Sequence, residues 1–163
     1  MAITPRPHGR AIFATGAFAL LAVTPLAPVP PAFAVGLAGA LPALLGTALG
    51  SRRILGLGVL VLSGGTLLAG SEGLPVPFLS AAMIGTVLVW DVGEQSINVA
   101  AQIGRAGDLD RPIFVHAAIS SLGAMGVAVP VYILYSVAVG GQPVGTLLLL
   151  LIGAGFIISS LRL

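Results

Sequence analysis

The sequence predicts an all-α integral membrane protein, a bundle of six transmembrane helices with both termini in the cytoplasm. Three observations lead there. The first is apolarity: of 163 residues, 57% are hydrophobic and 7% charged, and the mean hydropathy is +1.11. Ordinary globular chains carry about 25% charged residues, and this one could not cover its own apolar surface in water. The second is segmentation into apolar runs near the roughly 20 residues that a helix needs to cross hydrocarbon. The third is the placing of arginine. Arg6 and Arg10 precede the first run, Arg52 and Arg53 follow the second, Arg105 and Arg111 follow the fourth, and Arg162 follows the sixth. The stretches Pro25–Pro31, Ser71–Pro77 and Gly140–Pro143 carry no basic residue. Basic residues in every second connection obey the positive-inside rule.

The spans are expected at about 11–24, 32–50, 54–70, 75–100, 112–139 and 144–161, forming one membrane domain over 1–163 with a short cytoplasmic tail at 1–10. The first run ends at Pro25-Leu-Ala-Pro28-Val-Pro30-Pro31, where prolines too dense for a helix make an external turn. Pro42 is expected to kink the second span. Ser71-Glu72-Gly73-Leu74-Pro75-Val76-Pro77 turns the chain outside, and a proline opens the fourth helix, where its missing N–H costs nothing. The loop from Arg105 to Arg111 is the most charged stretch, and Asp110 is placed to cap the fifth helix beside Pro112. Gly140-Gly141-Gln142-Pro143 leads into the last span.

Three features have two readings each. Arg6, Arg10, the run Ala11–Thr24 and Ala32-Phe33-Ala34 imitate a secretory signal with a small-residue cleavage site; the apolar run continues past Ala34, which favours an uncut hairpin. Ala32, Gly36 and Ala40, then Gly46 and Gly50, then Ala124 and Ala128, follow small-xxx-small spacing. That spacing serves packing inside one bundle or an oligomer interface. At an offset of 68 residues Gly58-Val59-Leu-Val61 matches Gly126-Val127-Ala-Val129, and Gly73-Leu-Pro75-Val76 matches Gly141-Gln-Pro143-Val144. This is a parallel duplication or a coincidence of Gly/Leu/Val-rich composition.

One polar constellation stands out. At 100° per residue, Asp91, Glu94, Gln95, Asn98, Gln102 and Arg105 occupy a stripe roughly 100° wide on the fourth helix, with Val92, Ile97, Val99 and Ile103 on the other faces. A stripe so narrow suits a spanning helix that turns its polar edge toward the bundle interior or a wet crevice, and Trp90 suits the interface itself. On the fifth helix His116, Ser120, Gly123 and Val127 share a face. Counting outward from the loop centre sets His116 opposite Ala100, within reach of Asn98 and Gln102, with Ser120 and Ser121 near Gln95. The cluster Asp91, Glu94, Asn98, Gln102, His116 and Ser120 reads as a boundary cluster that orients the helix, as a proton- or ion-handling group, or as a partner-docking face.

Other chemistries find no support. The arginines are scattered and lysine is absent, unlike a nucleic-acid surface. Without cysteine there are no disulfides, thiolate metal sites or cysteine nucleophiles, and His116 has no i,i+4 partner for a metal. No hydrolase, zincin, P-loop or dinucleotide motif is present, so neither an enzyme nor a cofactor is expected.

The elements Trp90-Asp91-Val92-Gly93-Glu94, Gln102-Ile103-Gly104-Arg105, His116-Ala117, Gly140-Gly141-Gln142-Pro143-Val144 and Leu161-Arg162 look like an uncharacterised family of integral membrane proteins from halophilic archaea. The resemblance covers roughly residues 50–163. It implies no activity. It does imply an accessory role in a plasma-membrane assembly, because similar proteins are often encoded beside AAA+ ATPases and von Willebrand-A-like or transglutaminase-like membrane proteins. The expected partners are therefore the bilayer and other membrane proteins.

Overall fold

In a computed structural model of the chain, residues 9–103 and 110–138 are described. They form five helices: α1 (Gly9–Val23), α2 (Pro30–Leu49), α3 (Arg52–Ser71), α4 (Val76–Ile103) and α5 (Asp110–Ala138), with a 3-10 turn at Thr24–Leu26. No strand occurs among the described residues. All five helices, α1 together with its 3-10 turn, are long and apolar enough to cross a membrane. The predicted span at 144–161, the Gly140–Pro143 turn and Arg6, Arg105 and Arg162 lie outside the described residues, as do the later matches of the 68-residue offset.

Local chemistry explains the boundaries. Prolines 30 and 31 open α2 after extended Val29. Gly50 ends it in the left-handed region at φ 68°, where only glycine sits without strain. The Ser51 N–H then donates to the Gly46 carbonyl at 2.8 Å. Ser51 also caps α3, its Oγ accepting from the Ile54 N–H. Pro42 lies inside α2 and does not end it.

The chain divides into two compact units, Met1–Met125 and Gly126–Leu163. In the second, the described residues 126–138 are helical and expose large apolar side chains such as Val127 and Val137. In the first, α2 packs on α3 most extensively and α1 packs on α4. The α2–α3 contact is backbone on backbone. A Cβ added to Gly58 would fall 2.7 Å from the Ala43 Cα, and one on Gly39 would fall 2.6 Å from the Leu62 nitrogen. Gly85 of α4 lies equally close to Ala22 of α1.

This packing inverts that of a protein folded in water. Ala11, Ala22, Ala32, Ala43, Ala69 and Ala82 are fully buried, whereas Phe13 is 77% exposed, Leu67 75% and Leu122 71%. Water would drive the large side chains inward, at about 1.5–3 kcal/mol for each. Only an apolar surrounding removes that drive and lets small residues bring helix backbones together. The buried hydroxyls stay within their own helices. Thr15, Thr47, Thr66 and Thr86 each donate to the carbonyl four residues earlier, so they satisfy themselves and tie no helix to another.

Candidate functional site

The polar stripe of α4 lies on a half-buried side of the helix, and its Asp91 meets His116 of α5, the helix that the stripe was expected to face. Val92 is 1% exposed, and Ile97, Ser96 and Ala100 are buried with it. Gly93 sits against Leu55 of α3 and Thr47 of α2. The face holding Val92 and Ile97 is therefore the inward face, while Asp91, Glu94, Gln95 and Asn98 are half-buried and Gln102 is exposed. The physical reason lies in the partners. Gly85 lies against Ala22 of α1, Gly93 lies against Leu55 of α3 and Thr47 of α2, and Val89 joins the same core, which leaves the stripe beside Arg52 of α3 and His116 of α5.

Each polar side chain then finds its own neighbour. Arg52 at the start of α3 donates from Nη2 to the Asn98 Oδ1. Trp90 Nε1 donates to Glu94 Oε2 at 2.6 Å along one helix turn. From α5, His116 Nε2 lies 2.9 Å from Asp91 Oδ2. That is ion-pair distance, although the alignment falls outside hydrogen-bond geometry, and neither atom has a hydrogen-bond partner among the described residues. Both atoms are screened from solvent, while the two side chains as wholes are 35% and 37% exposed.

His116 thus meets Asp91, well along α4 from Ala100, Asn98 and Gln102. Counting from the middle of the connection assumed that both helices leave it evenly. In the fold Asn98 is taken by Arg52 and Glu94 by Trp90, and the imidazole meets the remaining carboxylate of the stripe. Ser120 is half-buried, Ser121 donates to the Ala117 carbonyl at 2.7 Å, and Gly123 and Val127 are exposed.

Of the topology-setting arginines, Arg10, Arg52 and Arg53 are exposed. The side chain of Arg111 lies outside the described residues. Two roles were missed in the sequence. Arg52 is a hydrogen-bond donor to α4 as well as a charge at the chain's turn. Trp90 is a partner of Glu94, which its i,i+4 spacing could have signalled.

The fold and this flank define an all-helical chain with a small-residue interior, an apolar exterior and one polar side on α4. The chain belongs to a family of unknown function, DUF7519, whose pattern matches residues 5–158. No curated protein and no solved structure matches it. The family match takes in α1–α3 as well as the later stretch that carries the resemblance.

Proposed function

We propose that this chain lies in the plasma membrane as a six-helix bundle with both termini cytoplasmic, and that it serves without catalysis as an accessory or scaffold subunit of a membrane assembly. The observation that carries the membrane reading is the packing: alanines and glycines at the closest helix contacts, with large apolar side chains such as Phe13, Leu67 and Leu122 exposed. At about 1.5 Å per residue α4 is longer than the roughly 30 Å of hydrocarbon, which suits a polar C-terminal third emerging at the interface. Arg52 bonds Asn98 and Ala11 packs on Val99, so the starts of α1 and α3 share an end with the late part of α4. Arg10, Arg52 and Arg53 at that end support a cytoplasmic placing.

Single cysteines test the topology, because the chain has none of its own. With an impermeant thiol reagent outside intact cells, Glu72→Cys and Gln142→Cys are expected to label, while Ser51→Cys and Asp108→Cys stay unlabelled. Labelling of Asp108→Cys would overturn six spans with cytoplasmic termini.

The scaffold role draws on the half-exposed flank of Glu94 and Gln95 with exposed Gln102, a polar surface suited to another membrane protein. The resemblance described above suggests an AAA+ ATPase-associated assembly of archaeal type. Co-purification in mild detergent followed by mass spectrometry is expected to return a membrane partner in stoichiometric amount. The second reading, a small carrier or proton/ion-handling protein using the α4 stripe, is favoured by the Asp91–His116 contact. Absence of any pH-dependent flux through the unmodified protein in vesicles would remove it.

A further inference from the structure

We propose that Asp91 and His116 form a proton-binding site that clasps α5 onto α4. Its ligand is a proton from the aqueous phase, and its effect is to hold or release the fifth helix. The geometry places Asp91 Oδ2 and His116 Nε2 2.9 Å apart, both atoms screened from solvent and neither in a hydrogen bond to another described group. A carboxylate and an imidazole so placed attract as an ion pair when the ring holds its second proton. They lose that attraction when the ring gives the proton up. Histidine is the side chain whose ordinary charge change falls between about pH 5 and pH 8.

The rest of the α4–α5 contact is thin, which is what gives one proton leverage. Elsewhere in the first unit helices meet through close backbone contact, as Gly58 meets Ala43 and Gly85 meets Ala22. Of the described residues of α5 with described side chains, Ala117 alone is buried. The buried hydroxyls of the fold bond within their own helices, and Ser121 does the same. A buried charge also makes the contact selective, since a screened carboxylate left alone is costly in apolar surroundings.

Other charged groups near the pair are engaged or distant. On α4 Glu94 is held by Trp90. From α3 Arg52 bonds Asn98, two turns from Asp91, with Arg53 beside it. Arg10 stands at the start of α1 and has a partner; α1 packs on the inward face of α4. The side chains of Asp110 and Arg111, in the first turn of α5, lie outside the described residues. Gln95, Asn98 and Gln102 continue the same side of α4 toward its C-terminal end. The clasp is independent of whether the protein scaffolds or carries.

Spin labels at Met83→Cys and Leu122→Cys, both exposed sites, measure the α4–α5 distance in the full chain in detergent. A single narrow distance is expected in acidic solution, broadening in alkaline solution. Asp91→Asn is expected to be broad at every pH, and His116→Gln to lose the pH dependence. The chain has two histidines, so His8→Gln leaves one imidazole, and its ring nitrogen resonances are expected to change on Asp91→Asn. A distance insensitive to pH in the parent, or a pH dependence that survives either substitution at the pair, would overturn the proposal. Unchanged resonances would do the same by excluding the contact.

Discussion

Gly58→Ala is expected to break the α2–α3 contact, while Gly56→Ala, two residues away, leaves stability unchanged or raises it. A Cβ on Gly58 would fall 2.7 Å from the Ala43 Cα and 2.7 Å from the Gly39 carbonyl oxygen. Both obstacles are backbone and cannot rotate aside. Overpacking ordinarily costs about 1–3 kcal/mol, and a clash between two backbones stands at or above the upper end of that range. A Cβ on Gly56 meets nothing within 4 Å, so that change gains up to about 1 kcal/mol of helix propensity. Gly65 and Gly64 repeat the contrast about two turns later: the former faces the backbone of Ala32 and Gly36, the latter open space. Unfolding in denaturing detergent, followed through the single tryptophan, Trp90, measures the difference. Equal stability for Gly56→Ala and Gly58→Ala would refute the backbone-level packing.

The second large effect is expected at Val92→Asp. Val92 is 1% exposed on the inward face of α4, where Gly93 beside it already touches Leu55 and Thr47. A carboxylate there would replace a fully buried apolar side chain, and the penalty for a charge at a helix centre is about 2.5–3.5 kcal/mol on insertion scales. Asp91→Asn, next along the chain, keeps hydrogen-bonding capacity on a half-buried side and is expected to fold. The measure is the yield of monodisperse protein from the membrane fraction. Equal yields from Val92→Asp and Asp91→Asn would mean that α4 is turned the other way.

Much of the fold was legible in the sequence, and the part that was not has a definite cause. Proline clusters and the Arg52–Arg53 pair marked the ends of α1, α2 and α3 because their backbone and charge effects are local. Helical periodicity grouped Asp91, Glu94, Asn98 and Gln102 correctly on one side. Periodicity fixes angles within a helix and is silent on which angle meets a neighbour. The expectation that the stripe turns toward the fifth helix agrees with the contact between Asp91 and His116, while α1, α2 and α3 pack on the face of Gly85, Val89 and Gly93. His116 and Asp91 were grouped in one cluster, but the counted register set His116 nearer to Asn98 and Gln102. Its register depends on how α5 lies along α4, which no local pattern encodes.

The alanine and glycine interior also changes where disorder resides in the folded chain. Side chains such as those of leucine and methionine lose roughly 0.5–2 kcal/mol of rotamer freedom when fixed in a core, whereas alanine and glycine have none to lose. Here the closest backbone approaches between α2 and α3 fall at glycines, which have no rotamers, while leucines such as Leu41, Leu45, Leu57 and Leu60 point outward into what, in a bilayer, is a fluid. Assembly therefore freezes backbones and spares side chains. A neighbouring protein settling on that apolar coat would face an ordering cost that the glycine and alanine contacts did not incur.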